Sequence, residues 1–266
     1  RARFLKELER RYSNGFHHFN LSKSNFYRLI WLIPQYTVLH LHTSSTLFQF
    51  SLSLYCLMLG KPLIITYHGN LGRYGRIRSM LENRSIANCT IPIVQNQESY
   101  KVACVLNSRT KTITTYLPSS KIVPLPSHIL EEINALKTQY RYIFCTNAWN
   151  VSFDRAGNEI YGISELLTCS DDFQHSVLII SDPSGNQQKR TKLFHPHVYW
   201  ISIPHDFCAV LQMADAFIRN TSTDATSISI HEALSFGKIV FATNAVSRPA
   251  RCITYQDVKN IALEAL

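Results

Sequence analysis

The stretch Ala214–Thr243 reads ADAFIRNTSTDATSISIHEALSFGKIVFAT, and its parts obey different rules. Ala216-Phe217-Ile218 is a short apolar run that gives way to Asn220-Thr221-Ser222-Thr223-Asp224, the form of a buried strand running out into a polar loop. Ser227–Phe236 carries apolar residues at helical spacing and stops at Gly237, a C-terminal glycine signal. Lys238–Ala242 is a second apolar strand. Strand, loop, helix and strand in succession make a βαβ unit, which implies a parallel sheet covered by helices. Seven residues separate Asp224 from Glu232, about two helical turns, so both carboxylates can project from one side of the helix. The same residues also suit a helix N-cap and a solvated helix position.

The alternation extends outward through the chain. Strands are expected at Thr37–His42, Leu63–Thr66, Ile91–Val94 and Lys111–Thr115, with helices at Leu47–Leu59, Arg76–Ala87 and Glu98–Leu106 between them. Pro118, Pro124 and Pro126, with Ser119 and Ser120, then break regular structure. Strands resume at Arg141–Cys145, Ser176–Ile180, His197–Ile201, Ala216–Ile218 and Lys238–Ala242, with helices at Ile160–Thr168, Phe207–Met213 and Ser227–Phe236. Gln187–Lys192 reads as an exposed loop. The fold class is α/β, with two Rossmann-like domains, residues 1–120 and 127–266, facing across a cleft and ligands expected at the carboxyl ends of the strands.

Composition narrows the function. Of 266 residues, 45% are hydrophobic and 17% charged, with 9 Gly and 10 Pro, which excludes collagen-like, coiled-coil and disordered chains. Lys and Arg exceed Asp and Glu by 27 to 18, a formal charge of +9, so an anionic partner or substrate is expected. Seven Cys without a CxxC pair match neither a disulfide framework nor a zinc site, and imply a reducing, cytoplasmic setting. His195-Pro196-His197 and His17-His18 lack further ligands at metal spacing. Leu47–Leu59, the longest apolar stretch, is far short of the roughly 20 residues that span a bilayer. Dispersed basic residues without an RNA- or DNA-binding motif argue against nucleic acid. Lys6, Arg10, Arg11, Arg73, Arg76, Arg78 and Arg84 are expected to form a basic face that meets an acidic leaflet on the inner side of the membrane.

Asp224-x7-Glu232-Ala233, followed by Gly237-Lys238-Ile239-Val240 and preceded by Ala214-Asp215-Ala216-Phe217-Ile218-Arg219, resembles the donor-domain signature of the retaining glycosyltransferases of family 4, which have the GT-B fold. Val38–His42 with Thr43-Ser44-Ser45, then Ile65-Thr66-Tyr67-His68-Gly69, is similar to the acceptor domain of bacterial polysaccharide glycosyltransferases, here without a first strand. The resemblance implies a hexosyltransferase that moves a sugar from a nucleotide sugar to a glycan or polyprenyl-pyrophosphate-linked acceptor, with retention, in polysaccharide or lipopolysaccharide biosynthesis. A nucleotide-sugar epimerase and a non-catalytic subunit of the same fold are the alternatives.

Carried over residue by residue, the resemblance puts Asp224 on the donor sugar, Glu232 on the ribose and His68 beside the transferred sugar. Asn147, Thr223, Ala225, Thr226 and Ser227 join Glu232 in donor binding, and no cofactor or metal is implied, because a helix N-terminus and basic side chains neutralise the diphosphate. The chain departs from the family pattern at three places. Asp224 stands where Glu is usual, Ala225 where Gly often follows, and Tyr161-Gly162 where Lys-Gly is common, which leaves Arg155 as the expected diphosphate ligand.

Overall fold

A computed structural model describes residues 17–19, 27–72, 75–114, 116–119, 121–153, 157–170, 175–191, 194–224 and 227–261. The chain divides into two compact units between Leu117 and Pro118. Among the described residues no helix is long and apolar enough to cross a membrane.

The first unit contains α1 (Arg28–Leu32), β1 (Leu39–His42), α2 (Thr46–Met58), β2 (Leu63–Thr66), α3 (Arg76–Asn88), β3 (Ile91–Val94), α4 (Gln97–Leu106) and β4 (Lys111–Thr112). Among the described residues its four strands are all parallel and follow chain order across the sheet. The register places Leu41, Ile65 and Val94 on one face, where they share a core with Leu52 and Cys56 of α2, Ile86 of α3 and Ala103 of α4. His40, His42 and Thr66 lie on the other face by the two-residue period of a strand. Ser45 caps α2 by accepting a hydrogen bond from Phe48 N, and Asn96 caps α4 by accepting one from Ser99 N. Side-chain acceptors of this kind satisfy amides that the first helical turn leaves bare.

The second unit contains α5 (Ser127–Gln139), β5 (Tyr142–Asn147), α6 (Ile163–Thr168), β6 (Ser176–Ser181), α7 (Asn186–Arg190), β7 (Val198–Ile201), α8 (Phe207–Met213), β8 (Ala216–Arg219), α9 (Ile228–Ser235), β9 (Ile239–Thr243) and β10 (Ile253–Tyr255). Among the described residues its six parallel strands run β10-β9-β8-β5-β6-β7. From β5 the chain steps one way to β6 and β7; from β8 it steps the other way. The reversal at β5 and β8 is a topological switch point. Strand residues alternate between two cores: Ile143, Cys145, Phe217 and Val240 pack with α5, α8 and α9, while Phe144, Ala216, Ile218 and Phe241 pack with α6. Helices therefore cover both faces, which is why these strands are apolar almost throughout.

Several segments differ from the sequence expectation, among them α1 and β10, for which no element was expected. Ser127–Gln139, passed over after the prolines, is a helix that starts behind Pro126 and buries Ile129 and Ile133 one turn apart. Gln187–Lys192 was expected as an exposed loop, yet Asn186–Arg190 is a helical turn with Gln187 buried, held by Gln188 N donating to Asp182 Oδ2 at 3.0 Å. The helix expected from Ile160 begins at Ile163, because Gly162 adopts a left-handed conformation with φ 53°.

The junction at the switch point is reinforced by Asp215. Its backbone N donates to Ile143 O at 2.8 Å, and its Oδ2 accepts from Ile143 N at 2.8 Å. Asp215→Ala should lower the denaturation midpoint by the equivalent of about 1 kcal/mol without changing the slope of the transition, as equilibrium urea unfolding would report.

Candidate functional site

The carboxyl ends of β5, β8 and β9 at the switch point present Asn147, Arg219 and Thr243. Arg219 is the last residue of an otherwise apolar strand, so its guanidinium emerges where the sheet ends. It donates to Asp224 twice, from Nε to Oδ2 at 3.1 Å and from Nη2 to Oδ1 at 3.5 Å. It also reaches Asn147 Oδ1 at 3.5 Å and lies over the Tyr161 ring, 5.1 Å from its centroid. Arg248, from the loop after β9, approaches the same carboxylate, with Nη1 3.0 Å from Asp224 Oδ2. Arg248 Nε donates to Thr243 O at 2.8 Å and Nη2 to Thr221 Oγ1 at 3.2 Å. Thr243 Oγ1 in turn donates to Thr221 O at 2.7 Å, tying the ends of β8 and β9 together.

Two guanidiniums thus hold one carboxylate, and all three side chains are largely shielded from water, at 11%, 3% and 10% exposure for Arg219, Arg248 and Asp224. Burial pushes the Asp224 carboxyl up, but Arg219 and then Arg248 outweigh that effect and hold it below the ordinary carboxylate range. Asp224 is therefore an anion at neutral pH and cannot serve as a proton donor there. The trio keeps one excess positive charge, and planar guanidiniums are the side chains best shaped to receive phosphate oxygens.

A second layer fixes this geometry from below. Asn220 is buried, and its amide nitrogen donates to Gly162 O at 3.1 Å and Glu165 Oε2 at 2.8 Å, while its Oδ1 accepts from Tyr255 Oη at 3.0 Å. The start of α6 is thereby fastened to the loop after β8. Gly162 suits this contact on two counts: its φ of 53° disfavours L side chains, and a Cβ would stand 2.9 Å from Asn220 O. One strand further on, Ser181 Oγ lies 2.7 Å from His205 Nε2, and His205 Nδ1 lies 2.6 Å from Ile203 O. Burial is the main effect lowering the His205 pKa.

The expected site residues fall as follows. Asp224 and Asn147 meet at Arg219. Glu232 is buried on α9, one turn from its C-terminal end, and Ser227 is the N-cap residue of the same helix, with Ser227 Oγ 2.9 Å from Ser229 Oγ. Thr223 is exposed in the loop. Arg155, Ala225 and Thr226 lie outside the described residues, as do Lys6, Arg10, Arg11 and Arg73 of the expected basic face. Sequence reasoning missed Arg219 and Arg248 as positive groups; an arginine closing an apolar strand before a polar loop was the available signal for the first.

His68 belongs to the first unit, two residues beyond β2. Its Nδ1 is 3.2 Å from Gln95 Nε2, the same nitrogen that donates to Tyr67 O at 3.2 Å, and its Nε2 is 3.1 Å from His42 Nδ1. The two ring nitrogens of His68 thus face Gln95 and His42. His40 adjoins the same group, with Nε2 2.8 Å from Thr66 Oγ1 and its ring centroid 4.2 Å from that of His42. Among the described residues no group of three or more His, Cys, Asp or Glu is placed to hold a metal ion, and no two cysteines are joined in a disulfide.

No family model and no curated protein matches the sequence. Solved structures do match it by fold. HepE of Anabaena in complex with UDP and glucose aligns with a TM-score of 0.70 at 14% identity over 90% of this chain and 71% of that one. HepE in complex with UDP-glucose gives 0.67 at 15%, over 98% and 78%. A sucrose-phosphate synthase of Thermosynechococcus elongatus gives 0.58 at 15%, over 86% and 64%. The fold is accordingly the mixed α/β, parallel-sheet fold of the GT-B glycosyltransferases.

Two substitutions probe the site's construction. Gly162→Ala should cost at least about 2 kcal/mol, since the left-handed backbone and the Asn220 contact both oppose a Cβ; thermal unfolding measures it. For Asp224 the sign is set by its depressed pKa. The stability its charge contributes is complete above the unfolded value near 4 and is lost as pH falls through the native value. Urea midpoints of the parent should therefore drop on acidification below about pH 4, and those of Asp224→Asn should drop less.

Proposed function

We propose that the chain is a glycosyltransferase whose second unit binds a nucleoside diphosphate sugar at the switch point. The observation that carries this reading is the Arg219, Asp224 and Arg248 cluster at the carboxyl ends of β5, β8 and β9, the place where open parallel sheets bind their ligands. HepE, which was solved with UDP and with UDP-glucose, shares the fold and supports a nucleotide-sugar donor.

In this reading Arg219 and Arg248 receive the diphosphate, in place of the Lys-Gly pair the chain lacks. Glu232 accepts hydrogen bonds from the ribose, and Asp224, anionic at neutral pH, accepts them from sugar hydroxyls and faces the positive charge that develops on the sugar. Departure of the nucleoside diphosphate leaves negative charge beside two fixed guanidiniums, so the chemical work is electrostatic preorganisation rather than attack by a side chain. Transfer goes to a glycan or to a polyprenyl-pyrophosphate-linked acceptor at the membrane, with retention of configuration, as in family 4, and serves cell-surface polysaccharide synthesis. His68 of the first unit is the acceptor-domain residue that the family resemblance assigns to the transferred sugar.

Calorimetric titration with UDP and UDP-glucose tests the assignment. Arg219→Ala should weaken both ligands by roughly 10- to 100-fold, the equivalent of a lost charge-assisted contact of about 1.5–3 kcal/mol. Glu232→Gln should weaken both, by about tenfold. Asp224→Asn should bind UDP at least as well as the parent, because the guanidiniums lose their resident counter-ion, while losing the extra affinity for UDP-glucose. Equal binding of both ligands by the parent and all three variants, each confirmed folded by circular dichroism, would remove the donor site from the switch point.

A further inference from the structure

Helix α2, TLFQFSLSLYCLM, has no charged residue, and its outer face is as apolar as its inner one. Leu52 and Cys56 face the core. Leu47, Ser51, Leu54 and Met58 are exposed at successive turns with Leu57 beside them, and Met58 is 71% exposed. A helix on a globular surface ordinarily turns polar residues to water along this stripe. Thirteen residues rise about 20 Å, too little to cross a hydrocarbon core of about 30 Å. An apolar stripe of this kind is suited to lying in the plane of a membrane interface.

The neighbouring elements extend the same surface. Tyr55 Oη donates to Ile30 O at 3.3 Å, which ties α1 to the C-terminal half of α2. Tyr27, Ile30 and Trp31 are exposed there, Trp31 at 77%. Tyr and Trp favour the boundary between lipid and water, with an apolar ring and a polar tip. Helix α3 packs on α2 and exposes Ile77 and Met80 among Arg76, Arg78 and Arg84.

Charge selects the occupant. Between Tyr27 and Asn96 the sequence has six basic residues, Arg28, Lys61, Arg73, Arg76, Arg78 and Arg84, and a single acidic one, Glu82. Glu82 is 4% exposed and accepts from Gly72 N at 3.1 Å, so it does not screen the surface. A second copy of this face would set like charges against each other. We infer that the outer face of α1, α2 and α3 docks on an anionic membrane surface, with Trp31, Leu54, Leu57 and Met58 entering the interface and the arginines meeting the headgroups. This deepens the lipid-linked acceptor reading and rests on it for its purpose, though the docking itself lies in the unit that does not hold the donor site.

The test is sedimentation of the whole chain with vesicles of phosphatidylcholine alone or mixed with phosphatidylglycerol. The parent should sediment with the mixed vesicles, be released by salt, and stay in solution with the neutral ones. The double variant Leu57→Glu, Met58→Glu should partition at least about tenfold less. Brominated acyl chains should quench part of the tryptophan emission of the parent, and Trp31→Phe should abolish that quenching while Trp149 and Trp200 remain. Titrating the double variant with UDP separates the two readings: intact UDP binding with lost sedimentation supports docking through this face, and lost UDP binding in the parent with intact sedimentation sinks the donor site alone. Unchanged sedimentation of the double variant, equal sedimentation with neutral vesicles, or a lipid-free dimer of the parent that the double variant dissolves would each overturn the inference.

Discussion

The carboxylate of Asp224, held between the guanidiniums of Arg219 and Arg248, is the interaction on which the account of the second unit depends. Three charges largely shielded from water are tolerable only when each has a partner, and removing one member of a buried pair costs about 3–5 kcal/mol because it strands the others. The strand reversal brings these side chains together at the carboxyl ends of β5, β8 and β9. Since β5 and β8 leave in opposite directions, no crossover closes over their carboxyl ends, and the residues that finish those strands are free to gather around a ligand. Asn220 and Gly162 anchor the loop after β8 to α6, and the two threonines Thr221 and Thr243 join the loops after β8 and β9. Arg219 and Arg248 are thereby held in fixed orientations, so a ligand that met them would lose little side-chain entropy in ordering them.

Much of the fold was legible because buried parallel strands leave an unambiguous trace. Ser176–Ser181 and Ile239–Thr243 are apolar on both faces because two different cores claim their alternate residues. Helix α5 was not legible in the same way: the prolines before it read as a linker, and only the pairing of Ile129 with Ile133 against the sheet gives the segment its role. Strand β10 is short and lies at the sheet edge, where little burial marks the sequence.

Of the Arg219, Asp224 and Arg248 cluster, only the carboxylate was singled out from the sequence. Asp224 and Glu232 are both shielded from water, but Asp224 lies in the loop before the Ser227 N-cap, so the two-turn helical spacing expected of the pair does not apply. The basic half was assigned to Arg155 by position, whereas the guanidiniums that reach Asp224 among the described residues come from the end of β8 and from a loop 24 residues beyond the carboxylate. Contacts set by where strands end, rather than by sequence spacing, carry no periodic signal. The outer stripe of α2 shows the opposite case. Its all-round apolarity was visible as a run of residues, but which of them meet water is decided by the packing of α2 on the sheet and on α3.

The central claim is that the switch point of the second unit receives the diphosphate of a sugar nucleotide. Hydrogen exchange of backbone amides, followed by mass spectrometry with and without UDP-glucose, addresses it directly. Slowed exchange concentrated at Asn147–Ala148, Asn220–Asp224 and the first turn of α9, with the β10 edge unchanged, is the predicted result. Protection confined to other elements, or none at a saturating concentration of UDP-glucose, would contradict it.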